Sequence, residues 1–525
     1  MPEKNFPEPP DSAVFAPRAA LDALRRRSNG VYLGHDRNGW CFAAPEQSVM
    51  VLGPPRAGKT TSIVVPNVLS APGAVVSTST KPDVLDATVG VRSEVGTCRV
   101  FDPIGSTDGR VGLPEVRWSP LQACGTWLGS LSAARTLVRT AGGAASEGFA
   151  RADHPHWTER AESLLAPLLH AAALGGGDMR TVLTWVDRRL ALTAQQILAM
   201  QPGRGADLAR NLLDGIVATD PRELSGIWST ASGSLGGFRS ERALESTTGP
   251  SFDPAAFVDS ADTIYVAVPA HHQALVAPMV VGLIEDVRRA AYARAAATHH
   301  RGSGRTVLLA LDELANIAPL PDLPGIVSEG GGQGLVTLAC FQDLSQARRR
   351  WPGHADGFPS LFGTTLVLPG IGDVRTLDSL SKLAGELEVP TRSVTAGRSV
   401  GDRPVLDLVT GGRPHLSASV SSHWRRRLPV HALAQGSPGH AVAFDERNRP
   451  SWVPLSPSHL CEPWRSLRGR ELERVVGPAG ERVRAHATLA ERVAPERQAT
   501  QRARDLPTPA PARDRGAGWD TGRQR

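Results

Sequence analysis

The chain has 525 residues, of which 41% are hydrophobic, so it is long enough to form more than one domain around a buried core. Its five cysteines follow no CxxC or paired spacing, which argues against a disulfide framework and against a zinc site. The formal net charge is +6, but residues 461–525 alone contain 14 arginines against 9 acidic residues, so the rest of the chain is nearly neutral and its bulk charge does not establish nucleic-acid binding.

The sequence predicts no membrane-spanning helix. A helix that crosses a bilayer needs about 20 predominantly apolar residues. The best candidate, residues 263–287, is interrupted by prolines and histidines and is better explained as a buried strand followed by a helix. Together with the unpatterned cysteines, this predicts a cytoplasmic chain without a transmembrane helix of its own.

In chain order, the first residues, MPEKNFPEPPDS, are polar and rich in proline, and residues 1–29 are expected to form a flexible N-terminal segment. Short apolar runs then alternate with helical patterns such as Ala274–Ala297 and Val374–Leu383. The alternation predicts an α/β fold in which helices cover both faces of a parallel sheet. The runs predicted as buried strands are Ser48–Gly53, Ala74–Ser77, Arg99–Phe101, Thr263–Val268, Thr306–Leu311, Leu335–Cys340 and Thr364–Leu368.

The alternation stops between residues 126 and 251. Helix-length segments occur there at Leu131–Thr140, Trp157–Ala173, Leu190–Met200 and Leu208–Ala218. We therefore predict an all-helical domain, 126–251, inserted between two parts of the α/β domain, 30–125 and 252–460. Residues 461–525 are rich in Arg, Glu, Ala and Pro and are predicted to form a basic, largely disordered tail.

A glycine-rich loop follows the first predicted strand. Its eight residues match GxxxxGK[ST], the P-loop motif, and Thr61 continues into a helical stretch. Such a loop wraps phosphates with backbone N–H groups at a helix N-terminus. Lys59 is expected to reach the β- and γ-phosphates, and Thr60 to bind Mg²⁺, so the cofactors predicted are ATP and Mg²⁺. The predicted nucleotide-binding residues are Gly53, Pro54, Pro55, Arg56, Ala57, Gly58, Lys59, Thr60 and Thr61.

Two adjacent carboxylates end a second apolar run. Asp312 and Glu313 follow Val307–Leu311, which is the pattern of a Walker B strand. Asp312 is expected to hold Mg²⁺ and Glu313 to orient and deprotonate the attacking water. The alternative is that the pair caps the next helix.

Two further polar residues follow strands at the same predicted edge of the sheet. Gln342 ends the run Leu335–Phe341 and is predicted to sense the γ-phosphate or to position water, the alternative being a polar residue that opens a helix. Lys81 follows the second strand and is explained equally well by contact with phosphate, nucleic acid or a neighbouring subunit, or by an ion pair with Asp83.

With these motifs placed, the chain resembles the type IV coupling proteins of conjugation and type IV secretion, the TraG/TraD family. The resemblance covers about residues 30–444, and the DELANI segment with its following glutamine block is more specific than a P-loop alone. The segments that carry it are GPPRAGKT (53–60), STKPD (within 77–83), VFDP (100–103), WSPL (118–121), GIWSTASGSLGGF (226–238), DELANIAPLP (312–321) and GQGLVTLACFQDLSQ (332–346).

The resemblance implies a RecA-like P-loop NTPase with a parallel central sheet and an inserted all-α domain, assembled as a homo-hexamer. It implies that a relaxase–DNA complex, other DNA or a protein substrate is recruited and driven into a type IV secretion channel in the membrane. It also implies a place at the inner face of the cell membrane through a membrane partner. Matched motif by motif, it assigns nucleotide roles to Lys59, Thr60, Asp312, Glu313 and Gln342.

The chain departs from the family pattern in two respects. Members of the family usually have N-terminal membrane helices, which are not predicted here. Many also place a basic residue in the glycine-rich block before the glutamine strand, where this chain has Gly330–Gly334. The arginine that would act on a neighbouring subunit's ATP is therefore unassigned, with Arg348 and Arg375 as candidates.

Two other functions fit the same motifs. One is a double-stranded-DNA translocase of the FtsK/HerA type, although no winged-helix-like module is evident at the C-terminus. The other is a docking module that binds ATP to fix its shape and recruits cargo without continuous hydrolysis. Measuring ATP turnover with and without DNA separates the docking module from the motors.

Overall fold

A computed structural model describes residues 30–468, except 37–38, 108–111, 146–153, 250, 298–305 and 400–412. The predicted flexible segment 1–29 and residues 469–525 of the predicted tail lie outside the described residues.

A nine-stranded sheet forms the centre of the fold, in the order β13-β12-β9-β3-β8-β7-β4-β6-β5. Every neighbouring pair from β9 to β5 is parallel, whereas β12 and β13 are antiparallel at one edge. The predicted α/β fold with a parallel central sheet is confirmed. The strands are β1 (Tyr32–Asp36), β2 (Gly39–Phe42), β3 (Val49–Leu52), β4 (Val75–Ser79), β5 (Cys98–Val100), β6 (Thr263–Ala267), β7 (Val307–Leu311), β8 (Leu335–Phe341), β9 (Thr364–Val367), β10 (Glu386–Ser399), β11 (Arg413–Arg426), β12 (His440–Phe444) and β13 (Pro450–Pro454).

The central strands are buried on both faces because helices cover the sheet from both sides. Every residue of β3, β4, β7 and β8 is buried, which explains why these strands read as continuous apolar runs and were predicted within two residues of their ends. Two apolar clusters, one on each face, fill the space between sheet and helices.

The helices begin at recognisable capping residues. Asp178, Asp220, Asp253 and Asp373 each accept a backbone N–H bond at the start of a helix. The helices are α1 (Val65–Ser70, after a π-helical turn Thr60–Val64), α2 (Asp83–Ser93), α3 (Trp127–Ala145), α4 (His154–Leu174), α5 (Met179–Arg188), α6 (Ala191–Met200), α7 (Arg204–Val217), α8 (Pro221–Ser234), α9 (Glu241–Ser246), α10 (Pro254–Asp259), α11 (Gln273–Ala297), α12 (Leu314–Ile317), α13 (Leu323–Glu329), α14 (Leu344–Arg350), α15 (Phe358–Leu361), α16 (Val374–Leu383), α17 (Val430–Gln435) and α18 (Trp464–Leu467).

Between β5 and β6 the described residues form helices and no strand. Trp118 lies where this helical region meets α11. Its ring is 1% exposed, its indole N–H donates to Asp286 Oδ2 at 2.7 Å, and a Cβ on Gly282 would lie 2.3 Å from the ring. The helices therefore share one core with the sheet face below them. The boundaries 126–251 of an inserted domain stay a prediction.

Replacing Trp118 by phenylalanine is expected to lower the free energy of unfolding by about 1–3 kcal/mol, because the buried Asp286 loses a donor and the ring leaves a small cavity. Thermal or urea unfolding followed by circular dichroism measures the change. Trp424→Phe is the control, since Trp424 is 68% exposed and should shift stability by less than about 0.5 kcal/mol. Equal effects of the two substitutions would contradict the assignment.

The described residues form four antiparallel pairs that the sequence did not predict: β1 with β2, β10 with β11, β12 with β13, and β9 with β12. The hairpin β10–β11 pairs 14 residues on each strand, and its Val394, Val420 and Trp424 side chains are largely exposed. Its second strand is rich in serine, so it lacks the apolar run by which the buried strands were predicted.

The predicted start of the tail at residue 461 is wrong for its first residues. Trp464 and Leu467 are each 1% exposed, and the Trp464 ring lies 5.3 Å from the ring of Tyr32 in β1. The burial of these two side chains joins residues 461–468 to the folded part of the chain.

Candidate nucleotide site

The predicted P-loop joins β3 to the π-helical turn that precedes α1, at the carboxyl end of the parallel sheet. Two positions in this loop require glycine, each for a different steric reason. Gly58 has a φ of +96°, in the region that favours glycine. A Cβ on Gly53 would lie 2.9 Å from Leu368 Cβ, so only glycine fits beside the end of β9. Arg56, at φ 65°, is exposed on the same loop.

Lys59 folds back into this loop. Its ammonium group donates to the carbonyl oxygens of Gly53 at 2.6 Å and Pro54 at 3.1 Å, and the residue is only 7% exposed. Among the described residues no carboxylate forms an ion pair with it. A buried cation held by neutral carbonyls alone suits a site that receives an anionic phosphate.

Thr60 and Asp312 meet across the site, as expected of a shared Mg²⁺ site. The Thr60 hydroxyl donates to Asp312 Oδ2 at 2.6 Å, and Asp312 is 6% exposed at the end of β7. Burial raises the pKa of the Asp312 carboxyl above its usual range, while the Thr60 hydrogen bond and the charge of Lys59 act to lower it. Paired hydroxyl and carboxylate oxygens are the hard donors that Mg²⁺ prefers.

Glu313 follows in a left-handed conformation, at φ 56° and ψ 42°. A non-glycine residue in this region is uncommon and often occurs at functional sites. Although Glu313 precedes α12, its side chain makes no cap hydrogen bond, and the Asp312 carboxylate binds Thr60 instead. The capping alternative is therefore wrong for both residues. Asn316 Nδ2 lies 3.4 Å from Glu313 Oε2.

Gln342 lies directly after β8, the strand between β3 and β7. It is therefore placed between the P-loop strand and the strand that carries Asp312. Asp343, and not Gln342, caps the next helix by accepting from the Ser345 N–H. The Gln342 N–H donates to Gln346 Oε1 at 3.0 Å.

The remaining candidates are not brought to the phosphate site by any contact. Arg348 pairs with Asp356 at 2.8 Å and Asp373 at 2.9 Å, and Arg375 pairs with Asp356 at 2.7 Å. Lys81 is exposed, and within the described ranges it forms no ion pair with Asp83. Both candidate arginines are thus held by carboxylates of their own chain.

One contact at the site was missed by sequence analysis: the Ser458 N–H donates to the Thr61 carbonyl at 2.9 Å. The signal that could have found it is Pro66, whose missing N–H leaves a carbonyl of the P-loop helix without its donor.

The residues that the structure describes contain no group of three His, Cys, Asp or Glu side chains placed to hold a metal ion. None of the helices described has the length and hydropathy needed to span a bilayer.

The parallel sheet, the P-loop after β3 and the acidic pair after the nearby β7 define a RecA-like P-loop NTPase fold. The model of the family described as "Type IV secretory system Conjugative DNA transfer" matches residues 18–402, and the chain belongs to this family. The resemblance to type IV coupling proteins is thereby confirmed.

Individual relatives agree with this assignment. The chain is 26% identical over 403 residues to the conjugal transfer protein TraG of Escherichia coli, covering 70% of this chain and 60% of that one. It thus spans about three fifths of that relative's length.

Solved structures support the fold. The plasmid coupling protein TrwB in complex with the GTP analogue GDPNP matches with a TM-score of 0.58 at 16% identity, covering 84% of this chain and 94% of that one. TrwB in complex with ADP and Mg²⁺ matches with a TM-score of 0.54 at 16% identity, covering 80% and 87%.

Proposed function

We propose that this chain is a Mg²⁺-dependent ATPase that couples a relaxase–DNA or protein substrate to a type IV secretion channel. The observation that carries the proposal is the 2.6 Å contact between Thr60 and the buried Asp312, next to a lysine enclosed by the P-loop. Hydroxyl, carboxylate and ammonium groups converge at the end of a parallel sheet, where such folds bind nucleotides.

Each side chain of the site has a separate role in the proposed phosphoryl transfer. Lys59 would leave the Gly53 and Pro54 carbonyls to hold the β- and γ-phosphates, and Thr60 with Asp312 would hold the metal ion. When bound, Mg²⁺ neutralises phosphate charge. Glu313 takes a proton from the attacking water, and Gln342 positions that water or senses the γ-phosphate. The nucleotide complexes of TrwB, with ADP and Mg²⁺ and with an ATP analogue, support the same ligands here.

The wider assembly belongs to the same proposal. We infer a homo-hexamer at the cytoplasmic face of the cell membrane, attached through a membrane component of the secretion system. In each subunit, residues 30–125 and 252–460 form the motor domain and 126–251 the inserted helical domain. Family membership is the support for these inferences.

A docking module that binds ATP without continuous hydrolysis is the second candidate. It is favoured by the ion pairs of Arg348 and Arg375, because both arginines that could act on a neighbouring subunit's ATP are bound to carboxylates of their own chain. An arginine finger raises turnover by about 10³–10⁵-fold in P-loop GTPases, so a site without one is expected to bind ATP and hydrolyse it slowly.

Steady-state ATP hydrolysis with single-stranded DNA, double-stranded DNA or neither tests the proposal. We expect DNA to stimulate turnover, and Lys59→Ala to abolish the activity because the phosphates lose their cation. Lys382→Ala is the matched control, since Lys382 is exposed and pairs with Asp378 on α16. Tight ATP binding without turnover in every condition would favour the docking module instead.

A further inference from the structure

In the helix that follows the P-loop, one backbone carbonyl has no donor within the helix, because of a proline in the sequence. Its first turn is π-helical, so bonds run from residue i+5 to residue i, as from the Val65 N–H to the Thr60 carbonyl. The next donor in this series would be Pro66, which has no N–H. The Thr61 carbonyl is instead satisfied by the Ser458 N–H at 2.9 Å.

This contact fastens a turn, residues 457–461, onto the nucleotide site. The turn is closed by the N–H groups of Leu460 and Cys461, which both donate to the Pro457 carbonyl at 2.9 Å. Beyond it, Trp464 is buried against Tyr32 of β1.

The same strand is tied to the P-loop helix by side-chain bonds. Asn67 of α1 accepts from the Tyr32 N–H and donates to the Tyr32 carbonyl, both at 2.8 Å. The 457–461 turn is thus held to the helix directly through Thr61 and indirectly through Trp464 and β1.

The sheet order indicates which part of a nucleotide lies beside this turn. Thr60 and Asp312 define the γ-phosphate end. This end lies on the side of β3 where β8, and beyond it β7, are placed in the sheet. The loop N–H groups hold the α- and β-phosphates, so the phosphate chain leads away from Asp312. The nucleoside is then directed to the opposite side of β3, toward β9, β12 and β13, and the 457–461 turn follows β13.

We propose that the 457–461 turn forms the nucleoside-binding wall of the ATP site, with Leu460 against the base. Leu460 is 61% exposed and His459 is exposed, whereas Ser458 is fully buried with no hydrogen-bond partner for its hydroxyl among the described residues. An exposed leucine suits the apolar face of a base. The turn lies outside residues 18–402, and the inference rests on the proposed function.

Calorimetric titration with Mg·ATP and with Mg·tripolyphosphate tests the wall, because tripolyphosphate has the phosphates but no nucleoside. For Leu460→Asn we expect the Kd for ATP to rise about tenfold, while the Kd for tripolyphosphate stays within about twofold. Leu192→Asn is the matched control, since Leu192 on α6 is 65% exposed and should affect neither ligand.

A second pair of variants tests the anchor. Ser458→Pro removes the N–H that donates to Thr61 and should weaken ATP binding as much as Leu460→Asn does. Ser458→Ala keeps this N–H and should raise the Kd for ATP by a smaller factor. Unchanged ATP affinity in Leu460→Asn, or an equal loss for both ligands, would overturn the wall. If the unaltered chain bound neither ligand, the proposed ATPase function itself would be wrong.

Discussion

Replacing Glu313 by glutamine is expected to lower ATP turnover by about 10²–10⁴-fold while Mg·ATP still binds with nearly unaltered affinity. Glutamine keeps the size of the side chain but cannot accept the proton of the attacking water. Glu313 has a left-handed backbone and its side chain makes no cap hydrogen bond to α12, while the Asn316 side chain of that helix donates to its Oε2 at 3.4 Å. Binding should persist because Lys59, Thr60 and Asp312 are unchanged.

Single-turnover hydrolysis and calorimetric ATP binding, measured on the same preparation, separate the two effects. Glu329→Gln is the matched control, because Glu329 is an exposed residue at the end of α13. Turnover that survives in Glu313→Gln would remove the general base from the proposed mechanism. Parallel loss of binding and turnover would indicate a structural role for the carboxylate.

Arg92→Met is expected to lower the free energy of unfolding by about 3–5 kcal/mol, the largest stability effect that we predict. Arg92 is 0% exposed, and its guanidinium donates to the Thr263 hydroxyl and to three backbone carbonyls at 2.7–2.8 Å. Those carbonyls belong to Ala71, Gly73 and Ala261, so one side chain joins the end of α1 to the starts of β4 and β6.

Burial lowers the pKa of the Arg92 guanidinium, since no carboxylate accepts its hydrogen bonds. Methionine would fill part of the volume but leave four buried acceptors without their donor. Urea unfolding followed by circular dichroism gives the change, with Arg210→Met as control. Arg210 is half exposed and pairs with Asp214 at 3.7 Å, so its loss should cost less than about 1 kcal/mol. A similar loss in both variants would contradict the predicted role of Arg92.

The predicted phosphate end of the site could be found from the sequence because its functional residues are close together along the chain. A P-loop needs glycines, a lysine and a hydroxyl at set spacing, and a Walker B strand needs an apolar run that ends in carboxylates. Parallel strands buried on both faces read as continuous apolar runs, so their order along the chain already implied that Thr60, Asp312 and Gln342 would gather at one sheet edge. The structure brings Thr60 and Asp312 into direct contact.

The contacts made across long sequence separations had no such signature. The sequence predicted a tail at residues 461–468, because one tryptophan and one leucine among charged residues do not reveal that Trp464 packs against Tyr32. It offered Arg348 as an arginine for a neighbouring subunit, yet Asp373, distant along the chain, holds it. Periodicity predicts which face of an element is apolar, but it does not say which partner satisfies a buried polar group.

The sequence by itself therefore determined the class of fold and the family, and it proposed the phosphate-binding residues, since each depends on local spacing. Only the tertiary structure decided which backbone and side-chain groups complete the site and its support. The bond from Ser458 to Thr61 joins residues 397 positions apart, and the Arg92 bond to Thr263 spans 171. Such pairs form because a buried carbonyl or guanidinium must find a partner once water is excluded, and the fold determines which partner is within reach.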